Sequence, residues 1–302
     1  MSLTRRQLLC GAAAGAATTF SPMAARAEQT VAPAGVLGLL YDATVCIGCQ
    51  ACVSACVDAN SKPQDMSLAE ARSSERGLTI QARSTVKLYI APDASERSFV
   101  KLQCMHCVDP ACVASCMFGA LHKDPRTGIV RWDASRCVGC RYCEIACAFH
   151  VPRFEWQAFN PRIVKCELCG PRLAEGREPA CTSVCPTHAV VFGQRESLLT
   201  TAHQRIAAHP GQYSEDRVYG EHDAGGTQAI YLAHIAYNRL GLPQLGTESI
   251  SAKYLKWQKR IYAYLAAPAA AYVLLVGVLG KRLRTHQLHE EEEEATGLKP
   301  QL

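Results

Sequence analysis

Sixteen of the 17 cysteines fall into four groups of four. Cys46, Cys49, Cys52 and Cys56 follow the spacing C-x2-C-x2-C-x3-C, and Cys137, Cys140, Cys143 and Cys147 repeat it. Cys104, Cys107, Cys112 and Cys116 widen the middle gap to four residues, and Cys166, Cys169, Cys181 and Cys185 widen it to eleven. Three thiolates in one tight loop can cap three irons of a cubane. A fourth, three residues on, begins a helix that leads to a neighbouring cubane. Gly48 and Gly139 sit inside two of the loops and let the backbone approach closely. Four such groups imply four 4Fe-4S clusters. A proline follows only the last group, at Pro186; Val57, Met117 and Ala148 take its place elsewhere. The proline is not a ligand, so the departure is tolerable.

The exchange of a fourth cysteine needs groups in pairs. Groups two and three are close in sequence and are expected to pair, which leaves groups one and four for each other. The expected ligand sets are then Cys46, Cys49, Cys52 with Cys185; Cys166, Cys169, Cys181 with Cys56; Cys104, Cys107, Cys112 with Cys147; and Cys137, Cys140, Cys143 with Cys116. Two other chemistries compete. Disulfides would be crowded within eleven-residue segments. Structural zinc prefers two separated C-x2-C pairs over a triplet with a fourth cysteine at x3. C-x-x-C-H is absent, so covalent haem has no attachment motif. His106, between Cys104 and Cys107, reads as a spacer because its group already has four thiols.

The segments around the cysteines predict a small α+β framework. Gly119-Ala120-Leu121, the turn Asp124 to Gly128 and Ile129-Val130 read as strand, turn and strand before group three. Ala189 to Phe192 reads as a strand after group four. Residues 58–103 form an inserted segment with candidate strands at Lys87 to Ile90 and Phe99-Val100, suited to docking or to packing over a cluster. Residues 196–208 read as a helix. The Gly-rich stretch 211–252 reads as extended, with a strand at Ala229 to Leu232.

Both chain ends carry addresses. Arg5-Arg6 precede a weakly apolar Ala/Gly stretch and the small-x-small pattern Ala25-Arg26-Ala27. That combination predicts a twin-arginine signal over 1–27, a route that exports folded protein with its cofactors inserted. Cys10 lies before most of the apolar stretch and follows Leu9, which is wrong for a lipid anchor. Ile261 to Gly280 holds twenty residues without a charge, about 30 Å of helix, with Trp257, Tyr262 and Tyr264 at one edge. Basic residues flank both ends: Lys256, Lys259 and Arg260, then Lys281, Arg282 and Arg284. It predicts a transmembrane helix that leans on a membrane partner, since six alanines and Pro268 dilute its hydrophobicity. The tail with Glu290 to Glu294 is expected to be a solvated, disordered and cytoplasmic end. Removing Arg5, Arg6 and Arg26 from 32 basic residues leaves 29 against 27 acidic ones, so nucleic acid is not indicated.

Several stretches resemble one family. They are Leu40-Tyr41-Asp42 leading into Cys46 to Cys52, Cys104 to Pro110, Lys123 to Val130, Lys165 to Cys169, and Tyr219-Gly220-Glu221 with Gly225 to Gln228. The chain resembles the ferredoxin-like subunit of hydrogenase-2-type membrane-bound nickel–iron hydrogenases, the HybA family, along nearly its whole length. The resemblance implies an electron-transfer role with no catalytic residue of its own. Implied partners are the hydrogenase small and large subunits and a polytopic quinone-reactive membrane subunit, with the twin-arginine translocase acting in export. The related iron–sulfur subunit of formate dehydrogenase shares the cysteine framework but usually lacks its own signal, so Arg5-Arg6 favours the hydrogenase branch. No phosphate-binding loop or acyl-transfer motif is present. The expected architecture is two ferredoxin-like modules of two clusters each, at 28–57 with 165–198 and at 104–164. An extended arm over 199–260, the membrane helix at 261–280 and the tail at 281–302 complete the chain, on the periplasmic face of the cytoplasmic membrane.

Overall fold

The computed structural model describes residues 32–60, 77–156, 158 and 161–296; for residues 258–259, 262–263, 266–267 and 289–296 it describes the backbone alone. The expected signal over 1–27 lies outside the described residues. In chain order the strands are β1 (Leu37–Asp42), β2 (Thr85–Ile90), β3 (Arg97–Leu102), β4 (Leu121–Lys123), β5 (Val130–Trp132), β6 (Arg153–Phe154), β7 (Ile163–Val164), β8 (Val190–Gln194) and β9 (Ala229–Leu232). The α-helices are α1 (Ala51–Asn60), α2 (Ala111–Ala114), α3 (Tyr142–Ile145), α4 (Gly170–Ala174), α5 (Ala180–Ser183), α6 (Arg195–Ala208) and α7 (Ile250–Thr296).

β1 is the centre of a three-stranded sheet, antiparallel to β8 and parallel to β9. Alternation along β1 decides what each face covers. Leu40, with Ile230 and Leu232, packs under Leu198 and Ala202 of α6. Leu39 and Tyr41, with Val190 and Tyr231, turn to the main core beside Cys52 and Cys181. Asp42 ends the strand nearly fully buried. Arg205 of α6 donates to its carboxylate at 2.8 Å, and the backbone N–H and hydroxyl of Thr44 donate to it at 3.0 and 2.6 Å. Buried acids need such partners.

The inserted segment supplies the β2–β3 hairpin, which packs onto the main core through Val86 and Val100. The candidate strands at 87–90 and 99–100 lie within it, and it covers cysteines. A second, smaller core gathers Leu121, Val130, Phe154 and Ile163 around Cys143. The β4–β5 and β6–β7 hairpins bracket group three.

Two expectations need correction. The 199–260 segment is not an extended arm. α6 covers the sheet, β9 enters it, and Val218, Tyr219, Tyr237, Leu240 and Leu242 are buried in the two cores. The reason is the run of aromatic and branched residues between the glycines, which must be buried to be stable in water. The tail is also not irregular from 281, because α7 runs on to Thr296. Leu, His, Gln and Glu in that stretch are tolerated or favoured in helices. The helix starts at Ile250, ahead of the expected span. Among the described residues no helix is long and apolar enough to cross a membrane.

Candidate metal centres

Each cysteine group makes the same local shape. The residue before the second cysteine has a left-handed backbone in all four loops: Gly48 at φ 69°, His106 at 47°, Gly139 at 70° and Leu168 at 53°. Glycine adopts this freely and other residues under strain. After the fourth cysteine another turn recurs. The N–H groups of Gly119, His150 and His188, each three residues on, donate to the carbonyls of Cys116, Cys147 and Cys185 at 3.1, 3.0 and 3.3 Å. The third and fourth cysteines lie four residues apart around a short helix, which places both on one face. α1 of group one packs on α5 of group four, and α2 of group two packs on α3 of group three.

These contacts gather thiols from different groups. Cys56, Cys166, Cys169 and Cys181 line one pocket; we term it site II. Cys116, Cys137, Cys140 and Cys143 line a second, site IV. The neighbours that bear on Cys52 include Cys46, Cys185 and Cys49, which compose site I. Those that bear on Cys107 are Cys104, Cys147 and Cys112, site III. Neighbour relations also link the sites: Cys181 with Cys52, Cys166 with Cys104, and Cys112 with Cys143. The sites therefore form a row, I to II to III to IV. Cys49 of site I and Cys140 of site IV are the exposed cysteines of the set, so both ends of the row reach the surface.

Burial is the largest influence on these thiols. It pushes Cys112, Cys143 and Cys181 up to about 12, with neighbouring thiols adding to it and Lys101 opposing it at Cys181. Such thiols ionise when a metal replaces the proton. All sixteen are free, which leaves the disulfide alternative without support. Among the described residues no three His, Cys, Asp or Glu side chains come close enough to hold one metal ion.

The lining of site II fits a sulfur-rich group. The amide of Gln103 has a buried N–H2 without a partner. Buried donors of this kind call for acceptors. The side-chain amide of Asn60 already points at sulfur, 3.5 Å from Cys169 Sγ. Backbone N–H groups do the same, Leu168 toward Cys166 and Leu121 toward Cys116, both at 3.4 Å.

Sequence reading missed the buried cations. Lys101 lines site II with no exposed surface. Burial would lower its pKa, but Cys181, Cys52, Cys56 and Cys166 outweigh that and raise it. Lys165 donates to the carbonyls of Val130 and, at 3.1 Å, of Cys166. Lys123 donates to the carbonyl of Cys107 at 2.6 Å, and burial brings it down to about 8. Lys123 and Lys165 stood in the quoted motifs, but nothing there gave them a role. For Lys101 the available signal was a cation in phase with Phe99 and Gln103 on a strand that runs into Cys104. His106 remains a spacer: Val130 N–H donates to its Nδ1 at 3.1 Å, and burial beside Lys165 and Lys123 keeps it well below its usual pKa.

The Gly225–Gln228 stretch braces the second cysteine loop. The N–H groups of Gln228 and Ala229 donate to Met105 O, both at 3.1 Å, and Val108 N–H donates to Gly226 O at 2.9 Å. The Arg195 guanidinium holds the stretch from behind through the carbonyls of Thr227, Gly220 and Glu221.

Residues 95–195 match the family described as a 4Fe-4S dicluster domain. Together with the thiol-lined sites this defines an iron–sulfur electron-transfer protein of mixed α/β fold. Nearly the whole chain is similar to the hydrogenase-2 operon protein HybA of Escherichia coli O157:H7, 35% identical over 95% of this chain and 98% of that protein. The formate dehydrogenase-O iron-sulfur subunit of Escherichia coli (strain K12) is 33% identical over 84% of this chain and 88% of its own length. The chain belongs to the HybA family.

Proposed function

We propose that sites I to IV each hold one 4Fe-4S cluster and that the protein carries electrons from a periplasmic nickel–iron hydrogenase to a quinone-reactive integral membrane subunit. Each cluster, when bound, takes up and gives back one electron. The observation that carries this reading is the row of four cysteine sets with exposed cysteines at its two ends. Cys46, Cys49, Cys52 and Cys185 would hold the first group, and Cys166, Cys169, Cys181 and Cys56 the second. Cys104, Cys107, Cys112 and Cys147 would hold the third, and Cys137, Cys140, Cys143 and Cys116 the fourth. Apolar side chains rim both ends: Val45 and Ile47 at site I, and Val138, Tyr142 and Ile145 at site IV are exposed. Such rims suit protein partners that must dock close to a cluster.

Membrane attachment is part of the proposal. Ile261, Leu265, Val273 to Val276, Val278 and Leu279 of α7 are at least half exposed or nearly so. An apolar helix stretch without a protein cover is supported by lipid or by another helix. The Asp109 carboxylate accepts from Ser249 Oγ at 2.5 Å and from Ser251 Oγ, which ties the start of α7 to the site III loop. Export by the twin-arginine route rests on Arg5-Arg6. Changing both to Lys is expected to leave the protein in the cytoplasm, and mature periplasmic protein would refute that part. Similarity to the formate dehydrogenase subunit supports a second reading, service to a molybdenum enzyme. Purification from membranes with associated subunits decides. Nickel–iron subunits support the first reading, and a molybdenum-pterin subunit supports the second.

A further inference from the structure

We propose that Lys101 is the shared counter-charge of sites I and II and makes the clusters in both easier to reduce. The inference rests on the cluster assignment above. Lys101 has no exposed surface, and its ammonium donates to Gln103 Oε1 at 2.6 Å. Gln103 is neutral. Among the described residues no Asp or Glu forms an ion pair with Lys101. A buried charge without a counter-ion is unfavourable, so the fold must supply negative charge nearby. Glu167 lines the same cavity but is paired with Arg83 at 3.4 Å and accepts from Trp132 N–H at 2.9 Å, which leaves the cysteines to do so. Lys101 lines the same cavity as Cys56, Cys166, Cys169 and Cys181, and the Cys52 thiol of site I also bears on its charge. Lys123 and Lys165 differ, because their ammoniums also donate to backbone carbonyls, Lys123 to Cys107 and Lys165 to Val130 and Cys166.

The position follows from the strand. Phe99, Lys101 and Gln103 share one face of β3 and its extension. Phe99 lies against Gly48 in the site I loop, and Lys101 and Gln103 line site II. The residue therefore stands at the junction of two neighbouring sites. Reduction adds one electron to a cluster and no proton to Lys101. The negative charge rises, and a fixed cation at short range in a low-dielectric interior favours that state. Sites III and IV lie further along the row and are expected to feel the charge little.

The test is a redox titration of the full-length protein, followed by electron paramagnetic resonance, for the wild type, Lys101→Met and Lys101→Arg. Iron and sulfide analysis of the wild type comes first; failure there sinks the four-cluster reading and this inference with it, whereas the outcomes below bear on this inference alone. In Lys101→Met, two of the four clusters are expected to show a reduced-to-oxidised ratio about tenfold lower at a fixed potential, or ~59 mV for a one-electron couple. These should be the two whose signals change in Cys49→Ser and Cys169→Ser. Lys101→Arg is expected to restore most of the ratio. Unchanged potentials in a fully loaded Lys101→Met protein would overturn the inference, as would an arginine variant that behaves like the methionine one. If Lys101→Met loads only two clusters, Lys101→Arg must recover the other two; failure to do so also overturns it.

Discussion

Replacing Gly48 with alanine should damage one cluster site and spare the others. Gly48 has φ +69°, a conformation that costs an L-residue about 1–2 kcal/mol. The added Cβ would also lie 2.2, 2.3 and 2.6 Å from three atoms of the Phe99 ring. That ring packs against the main core, and the Phe99 carbonyl accepts a hydrogen bond from Tyr41 OH at 2.8 Å, so its strand cannot simply retreat. Overpacking of this kind costs about 1–3 kcal/mol. The two effects together are about 2–5 kcal/mol, placed on a loop that carries Cys46, Cys49 and Cys52. Gly176→Ala is the control, because Gly176 has φ +72° but nothing within 4 Å of a new Cβ. It should show the backbone strain alone, about 1–2 kcal/mol. Phe99→Ala added to Gly48→Ala should recover the steric share and leave the strain. The assay is thermal unfolding with iron content for each variant. Gly48→Ala should lose about one cluster's iron, and Gly176→Ala none. If the two variants melt and load alike, the contact between Gly48 and Phe99 has no energetic weight and the reasoning fails.

Three further outcomes are expected. In metal-free protein Cys112, Cys143 and Cys181 are held up to about 12 from an ordinary 9.0, so the folded state binds more protons than the unfolded one. Stability is then full below about pH 9 and is lost as pH rises toward 12, while loaded protein, with its thiols already ionised, changes less; alkaline unfolding curves followed by circular dichroism check this. Asp42→Asn weakens a pair in which the acid is buried and Arg205 is partly exposed, and a melting curve should show about 1–3 kcal/mol lost. Asp109→Ala removes the acceptor shared by Ser249 and Ser251 and should cost about 1–3 kcal/mol at the start of α7. Limited proteolysis should then cut near residue 250 faster than in the wild type, and an unchanged cleavage pattern would show that the link carries no load.

Much of the site was legible because ligand spacing is a local property. Cys52 and Cys56 lie four apart on a helix whatever the rest of the chain does. The pairing of groups one and four was accessible by elimination, and α1 does lie on α5. The strand at Ala229–Leu232 and the helix near 196–208 were also visible, since short branched runs and polar periodicity mark them. What the sequence hid depends on contacts across the chain. Lys101 looks like any strand lysine until the site II cavity closes around it. Glycine content suggested an extended arm, but in the core Tyr219 meets Tyr231 edge to face and Tyr237 at a tilt, and these contacts pull the segment inward. Left-handed His106 and Leu168 could be found only by aligning the four loops and noticing that they occupy the place of Gly48 and Gly139.

The central claim is that this chain holds four 4Fe-4S clusters on sixteen cysteines. Iron and acid-labile sulfide analysis of anaerobically purified protein tests it most directly. The account predicts about sixteen of each per chain, with broad absorbance near 400 nm that bleaches on reduction by dithionite. Colourless protein containing zinc in place of iron, or iron enough for only two clusters in fully folded protein, would contradict it.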